Sequence, residues 1–144
     1  MDNISIQNIT YDYVKQHISV FLDIISDGLN EYWGEQEFLN DLPQKWDSSV
    51  VLIINSSIVG FIISSYKNDC FHIHKFFIHR KYRNYGYGEL LLHEFETRIK
   101  QNFDIHTISL KVYKENLKAI HFYKNQNFIE NQNQDSLLLL TKKI

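Results

Sequence analysis

The chain has one cysteine, one proline and five glycines in 144 residues, and each shortage closes off a class of protein. Cys70, alone, has no intrachain disulfide partner, and a dithiol redox pair or a four-cysteine zinc site is impossible within one chain. With Pro43 as its sole proline, the sequence has no Pro/Gly/Ser linker and no repeat to divide it, so one domain over residues 1–144 is expected. The longest aliphatic run, Leu137 to Leu140, is far too short to cross a bilayer, and the opening residues lack a basic segment leading into an apolar one. A soluble, cytoplasmic protein without a membrane partner is the expectation. A net charge of −2 supplies no field that gathers nucleic acid, and the short run Arg80, Lys81, Arg83 is too little to serve as a binding face, so no nucleic-acid partner is expected.

What is present is ordinary globular material, 44% hydrophobic and 22% charged. "ISIQNIT" alternates apolar and polar residues and predicts a strand. From Tyr11 to about Tyr32 the apolar positions Val14, Ile18, Phe21, Ile25 and Leu29 recur at helical spacing, and "EQEFLNDLPQKW" predicts a second helical piece. Two strands follow in "SSVVLIINSSIVGFIISSY", joined by the polar turn Asn55-Ser56-Ser57, and "CFHIHKFFIH" is a third. Leu91, Leu92, Phe95 and Ile99 mark an amphipathic helix, "IHTISLKVY" a strand, and "LKAIHFYKNQ" a helix capped by Asn116 and stopped at Asn127. "FIENQNQDSLLLLTKK" closes the chain as a hairpin. The order β-α-α-β-β-β-α-β-α-β-β predicts an α/β fold with a mixed sheet of about seven strands and about four helices.

Between the third strand of that central run and its helix lies "RNYGYG", Arg83 to Gly88. A dinucleotide fingerprint would need a small residue at Leu91, and a phosphate-cradling Walker loop would need Gly-Lys-Ser/Thr, so neither motif is present. The remaining pattern, R-x-x-G-x-G opening a helix at the second glycine, is an anion site on physical grounds. First-turn amides lack intrahelical partners, the helix dipole adds positive charge, and glycine lets a phosphate reach the backbone. A tight strand-to-helix turn that simply needs glycine geometry explains the loop equally well when it is taken alone.

Taken with "FHIHKFFIH" before it and "LKVYKENLKAIHFYKNQNF" after it, "RNYGYGELLL" resembles the core of the GNAT superfamily of acetyl-CoA-dependent N-acetyltransferases. The resemblance implies a mostly antiparallel sheet, open between its fourth and fifth strands, with acetyl-CoA as cosubstrate and no metal. It implies that Arg83, Asn84, Tyr85, Gly86, Tyr87 and Gly88 hold the pyrophosphate, largely through their amides. Phe76, Phe77 and Ile78 correspond to the strand whose backbone pairs with the pantetheine arm, the Ile78 amide polarising the thioester carbonyl. Asn116 matches the residue that contacts that arm, and Ala119, the only alanine in the chain, falls where a small residue faces the cofactor. Tyr123 matches the usual proton donor; a phenol with pKa about 10 is protonated at neutral pH and can protonate a departing thiolate. Asn127-Phe128 replaces the usual Gly-Phe, and Arg80 stands where relatives often have proline.

The base is the open position. Where some relatives carry glutamate on the strand before the glycine loop, this chain has His72; where others carry it before the second motif, it has Lys111. His72 or His74 on the same strand face, a water, or no base at all for an amine arriving neutral all satisfy the sequence. Cys70, His72 and His74 alternate along that face, but a zinc site would need a further ligand from elsewhere. The acceptor implied is an amine on a small molecule or a protein. Asp23, Asp27, Glu31, Glu35, Glu37 and Asp41, with no basic residue between Lys15 and Lys45, favour a cationic one, or form a solvated helix face. Trp33, Trp46 and Tyr32 either line its pocket or close the core. A homodimer, common among relatives, is also implied, and a GNAT-like module that binds coenzyme A without catalysis is the alternative function.

Overall fold

The computed structural model describes residues 1–28 and 32–144. Its elements are β1 (Ile4–Asn8), α1 (Tyr11–Gln16), α2 (Ile18–Ile25), α3 (Glu35–Leu39), α4 (Lys45–Ser48), β2 (Val50–Ile54), β3 (Ser57–Lys67) and β4 (Cys70–Ile78), then, after a 3-10 turn at Arg80–Tyr82, α5 (Tyr87–Asn102), β5 (Thr107–Tyr113), α6 (Leu117–Asn125), β6 (Ile129–Gln134) and β7 (Leu137–Lys143). The strands form one sheet in the order β1-β2-β3-β4-β5-β7-β6. Every neighbouring pair is antiparallel except β4 and β5. A parallel pair needs a long crossover, and α5 supplies it.

Helices cover both faces because the central strands are apolar on both. Phe61 and Ile63 of β3 bury against Val14, Phe21, Ile24 and Phe38 of the N-terminal helices. On the opposite face Ile62 packs with Leu91, Leu92, Phe95 and Ile99 of α5, and Ala119, Phe122 and Tyr123 of α6 lie against the same cluster. Each fully buried Phe, Leu or Ile contributes about 1.5–3 kcal/mol, so these two layers hold the sheet rigid.

Pairing along β4 is irregular on both of its edges. With β5 it runs only over Phe71↔Ile108, His72↔Ser109 and Ile73↔Leu110; beyond Ile73 the two strands separate. With β3 the register skips His74, since Ile63 pairs with Lys75 and Ser64 with Ile73. This bulge turns His74 and Lys75 toward the same side, where both approach Trp33.

The N-terminal helices are more broken than periodicity implies. The expected helix from Tyr11 is interrupted at His17, whose φ of −116° and ψ of 22° are not helical, and α2 ends at Ile25; Leu29 and Glu31 lie outside the described residues. The second piece splits around Pro43, because proline drives the residue before it away from helical geometry. Six α-helices therefore stand among the described residues where four were expected. Lys45, fully buried, closes the end of α3: its ammonium donates to the carbonyls of Phe38 at 2.7 Å, Asn40 at 2.6 Å and Glu37 at 3.3 Å. Elsewhere the turn chemistry is as expected. Asn55 and Ser56 take φ of 50° and 69° to turn the β2–β3 hairpin, and Asn127, at 72°, stops α6.

Candidate active site

A groove of about 980 Å³ occupies the gap where β4 and β5 separate. One wall is β4 from Ile73 to Ile78, the other β5 from Leu110 to Tyr113; the glycine loop closes one end and α6 lies alongside. The β5 side of residues 74–78 carries no strand partner, because the parallel pairing stops at Ile73. A strip of backbone donors and acceptors is thus exposed to whatever enters.

The glycine loop meets the groove as a helix N-terminus. Gly86 takes φ of 84° as the N-cap of α5, which begins at Tyr87, one residue ahead of the second glycine; Asn84 is also left-handed at 67°. Leu90 N–H is the first amide to bond back, to the Gly86 carbonyl at 3.1 Å, so the amides of Tyr87, Gly88 and Glu89 have no intrahelical partner. The two glycines are needed for different reasons. A Cβ on Gly86 would meet nothing within 4 Å, and its positive φ is what demands glycine. A Cβ on Gly88 would sit 3.6 Å from Phe122 and 3.8 Å from Ile78, ordinary contact for the protein, but it would fill space inside the groove.

Gly60, which sequence reasoning passed over, sets the far side of β4. A Cβ there would fall 2.7 Å from the Phe77 carbonyl and 2.5 Å from Ile78 Cδ1, so only glycine lets β3 come this close behind the strip. The signal was available as an isolated glycine within an apolar strand.

On α6, Asn116 Oδ1 accepts from the Ala119 amide at 3.2 Å, so its oxygen caps the helix while the residue lines the groove. Ala119 lines it one turn on, and Tyr123 two turns on. The Tyr123 ring is wedged among Phe122 and Phe128, centroids 5.4 Å away, and Phe76 at 6.3 Å. That burial raises the phenol well above its ordinary range, so it holds its proton at every physiological pH.

The histidines divide. His72 is 9% exposed and sits behind the groove, its Nδ1 2.9 Å from Ser109 Oγ. His74 lines the groove, with Nε2 2.7 Å from Ser65 Oγ. Their rings are 5.0 Å apart. Burial, with each charge disfavoured by neighbouring cationic groups, lowers both imidazoles to about 4, so both are neutral at pH 7. Cys70 Sγ donates to the Lys67 carbonyl and lies 3.3 Å from Ser109 Oγ. No cluster of three or more His, Cys, Asp or Glu placed to hold a metal exists among the described residues. Lys75, also unforeseen, lines the groove with its ammonium 5.3 Å above the Trp33 ring, and burial lowers it to about 8.

The acidic stretch is largely engaged within the protein. Asp23 faces His79 and Arg80, Asp27 pairs with Arg83, the Glu37 carboxylate accepts from the Gly34 amide, and Asp41 accepts from the Trp46 indole. Glu31 lies outside the described residues. Of the aromatics, Trp33 reaches both the core and His74, Trp46 covers the Lys45 ammonium at 4.6 Å, and Tyr32 is 81% exposed.

Residues 18–128 match the family described as Acetyltransferase (GNAT) family. Among solved structures, Ard1 from Thermoplasma volcanium superposes with a TM-score of 0.81 at 25% identity, over 98% of this chain and 97% of that one. PaiA N-acetyltransferase from Thermoplasma acidophilum, in complex with coenzyme A, gives 0.80 at 18% identity over 99% of each chain. Arabidopsis thaliana Naa50, in complex with the bisubstrate analogue CoA-Ac-MVNAL, gives 0.77 at 17% identity over 98% and 99%. The latter two share the fold. No curated protein sequence gives a match.

Proposed function

The chain belongs to the GNAT acetyltransferase family, and on that footing we propose that it moves the acetyl group of acetyl-CoA onto an amine by direct attack, with Tyr123 as general acid. One observation carries the reading: a single groove joins the partnerless strip of β4, the free first-turn amides of α5 and the protonated phenol of Tyr123.

The residues present fit the cosubstrate. The amides of Tyr87, Gly88 and Glu89 form a helix N-terminus suited to a pyrophosphate, and the absence of a Cβ at Gly88 leaves room for it. The backbone of Phe76 to Ile78 would pair with the amide-bearing arm as an added strand does. When bound, acetyl-CoA supplies the activated acyl group. The strand amide of Ile78 would polarise its carbonyl, and the two walls would hold nucleophile and carbonyl in reach, which accounts for most of the rate expected of such a site. Tyr123 would donate its proton to the sulfur as the carbon–sulfur bond breaks, and the proton shed by the newly acylated nitrogen would restore the phenol through water. Burial keeps the phenol protonated until negative charge develops on the sulfur.

The incoming ammonium must shed its proton first. His74, rather than His72, is the imidazole that lines the groove, and at about 4 it is a weak base. An acceptor that arrives already neutral suits such a site: an α-amine, with pKa about 8, has a usable neutral fraction at pH 7, whereas a lysine ε-amine, about 10.4, does not. The Naa50 complex carries a peptide-based conjugate, in keeping with a peptide α-amine here. Asp23 and Asp27 face arginines of the chain itself, which weakens the support for a cationic acceptor.

The test is a panel of peptides with free α-amines, polyamines, aminoglycosides and Nα-blocked lysine peptides, each incubated with acetyl-CoA and scored for N-acetyl product by mass. Transfer to any amine supports the catalytic reading, and preference for α-amines supports the acceptor class. Tight coenzyme A binding with no transfer to any amine would favour a non-catalytic binding module instead.

A further inference from the structure

The first residue of the glycine loop is fixed by contacts that run away from it. Arg83 donates from Nη1 and Nη2 to the two carboxylate oxygens of Asp27 at 2.8 and 2.9 Å, and from Nε to the Ile78 carbonyl at 2.9 Å. Three of the five N–H donors of a guanidinium are thereby committed, in the bidentate geometry that gives such pairs directional strength. The hydrogen bonds from Arg83 also hold the Asp27 carboxyl below its ordinary range. A looser contact, Asp23 with Arg80 at 3.7 Å, ties α2 to the turn just before the loop.

Resting on the acetyl-CoA reading above, we propose that Asp27 is a positioning residue for the cosubstrate: through Arg83 it locks the glycine loop to the end of β4. The two binding surfaces, the amides opening α5 and the backbone strip of β4, must keep one spacing to engage a single extended molecule. Arg83, itself the first residue of the loop, bonds the Ile78 carbonyl, and Asp27, just beyond the end of α2, sets its orientation.

Charge alone argues the other way, which makes the idea decidable by sign. Asp27 lines the groove, and a carboxylate near a pyrophosphate repels it. If Asp27 acted only through its charge, or competed with the pyrophosphate for Arg83, its removal would tighten binding. As a strut, its removal weakens binding.

The experiment is titration of acetyl-CoA into the full chain by calorimetry for wild type, Asp27→Asn, Arg83→Lys and the double variant, with thermal unfolding of each. Asp27→Asn nearly preserves shape, and Arg83→Lys keeps the positive charge but loses the fork. The expected result is about tenfold weaker binding in each single variant, with the double variant no weaker than the worse single one. In turnover the loss falls on the KM for acetyl-CoA rather than on kcat. Unchanged or tighter binding by Asp27→Asn, or additive losses in the double variant, would overturn the proposal. Should Asp27→Asn fail to fold, Asp27→Glu keeps the charge and displaces the fork; weaker binding is again expected, and wild-type affinity would overturn the proposal. A wild-type chain that does not bind acetyl-CoA would instead overturn the functional reading on which this one rests.

Discussion

His74 Nε2 lies 2.7 Å from Ser65 Oγ across the β3–β4 pair, while 5.0 Å away the His72 ring engages Ser109 through Nδ1. Two imidazoles are thus held neutral, side by side, in the middle of the sheet. Both have folded-state values of about 4, below the ordinary 6.5. Their stabilising contribution is full above about 6.5 and is lost as the pH falls toward about 4, because the unfolded chain takes up protons that the folded one refuses. Denaturant unfolding should therefore show stability dropping across that window by up to about 3 kcal/mol per histidine. His72→Gln should flatten the slope by one proton; a slope unchanged by the substitution would contradict the assignment.

The same values predict the shape of the catalytic pH profile. With both histidines neutral from about pH 5 upward, their titration leaves no limb near pH 6.5. The rate should instead rise with the neutral fraction of the acceptor amine, shifting when acceptors of different pKa are compared. A limb fixed near 6.5 for every acceptor would point to a histidine base with an ordinary pKa.

Gly86 and Gly88 should separate stability from binding. Gly86→Ala forces a side chain into φ of 84° and should cost about 1 kcal/mol of stability or more. Gly88→Ala meets only ordinary contacts and gains helix propensity, so stability should hold or rise by up to about 1 kcal/mol. Yet that variant should bind acetyl-CoA several-fold more weakly, because its methyl group enters the groove. Thermal unfolding and calorimetry on the two variants check the contrast.

Lys45 tests the N-terminal layer. Truncation to alanine leaves the buried Phe38 carbonyl and the part-buried Asn40 carbonyl without their ammonium partner, and the loss should be about 3 kcal/mol in urea unfolding. A loss under about 0.5 kcal/mol would mean that the ammonium is replaceable by water.

Strand alternation, the hairpin at Asn55-Ser56, the left-handed stop at Asn127 and the R-x-x-G-x-G loop are legible in the sequence, because they are local signals that local physics decides. The break at His17 is not, because Val14, Phe21 and Ile24 on either side bury into one cluster and so keep a helical period through the interruption. The split at Pro43 is legible in principle, since proline announces it. The site is harder. His72 and His74 are equivalent on an alternating strand, and the skipped register at His74, a matter of pairing with β3, accompanies their division between the interior and the groove. Arg83 promises a charge for the pyrophosphate, but its partner Asp27 is 56 positions away, beyond the reach of any local pattern.

The role of Tyr123 is tested most directly by comparing wild type with Tyr123→Phe in acceptor-dependent release of free thiol from saturating acetyl-CoA. The substitution removes one hydroxyl from a ring packed among Phe76, Phe122 and Phe128 and should leave the fold and acetyl-CoA affinity intact. A general acid at this position predicts a fall in kcat of roughly 10²-fold, with the dissociation constant unchanged. Turnover equal to wild type would contradict that role and remove Tyr123 from the chemistry.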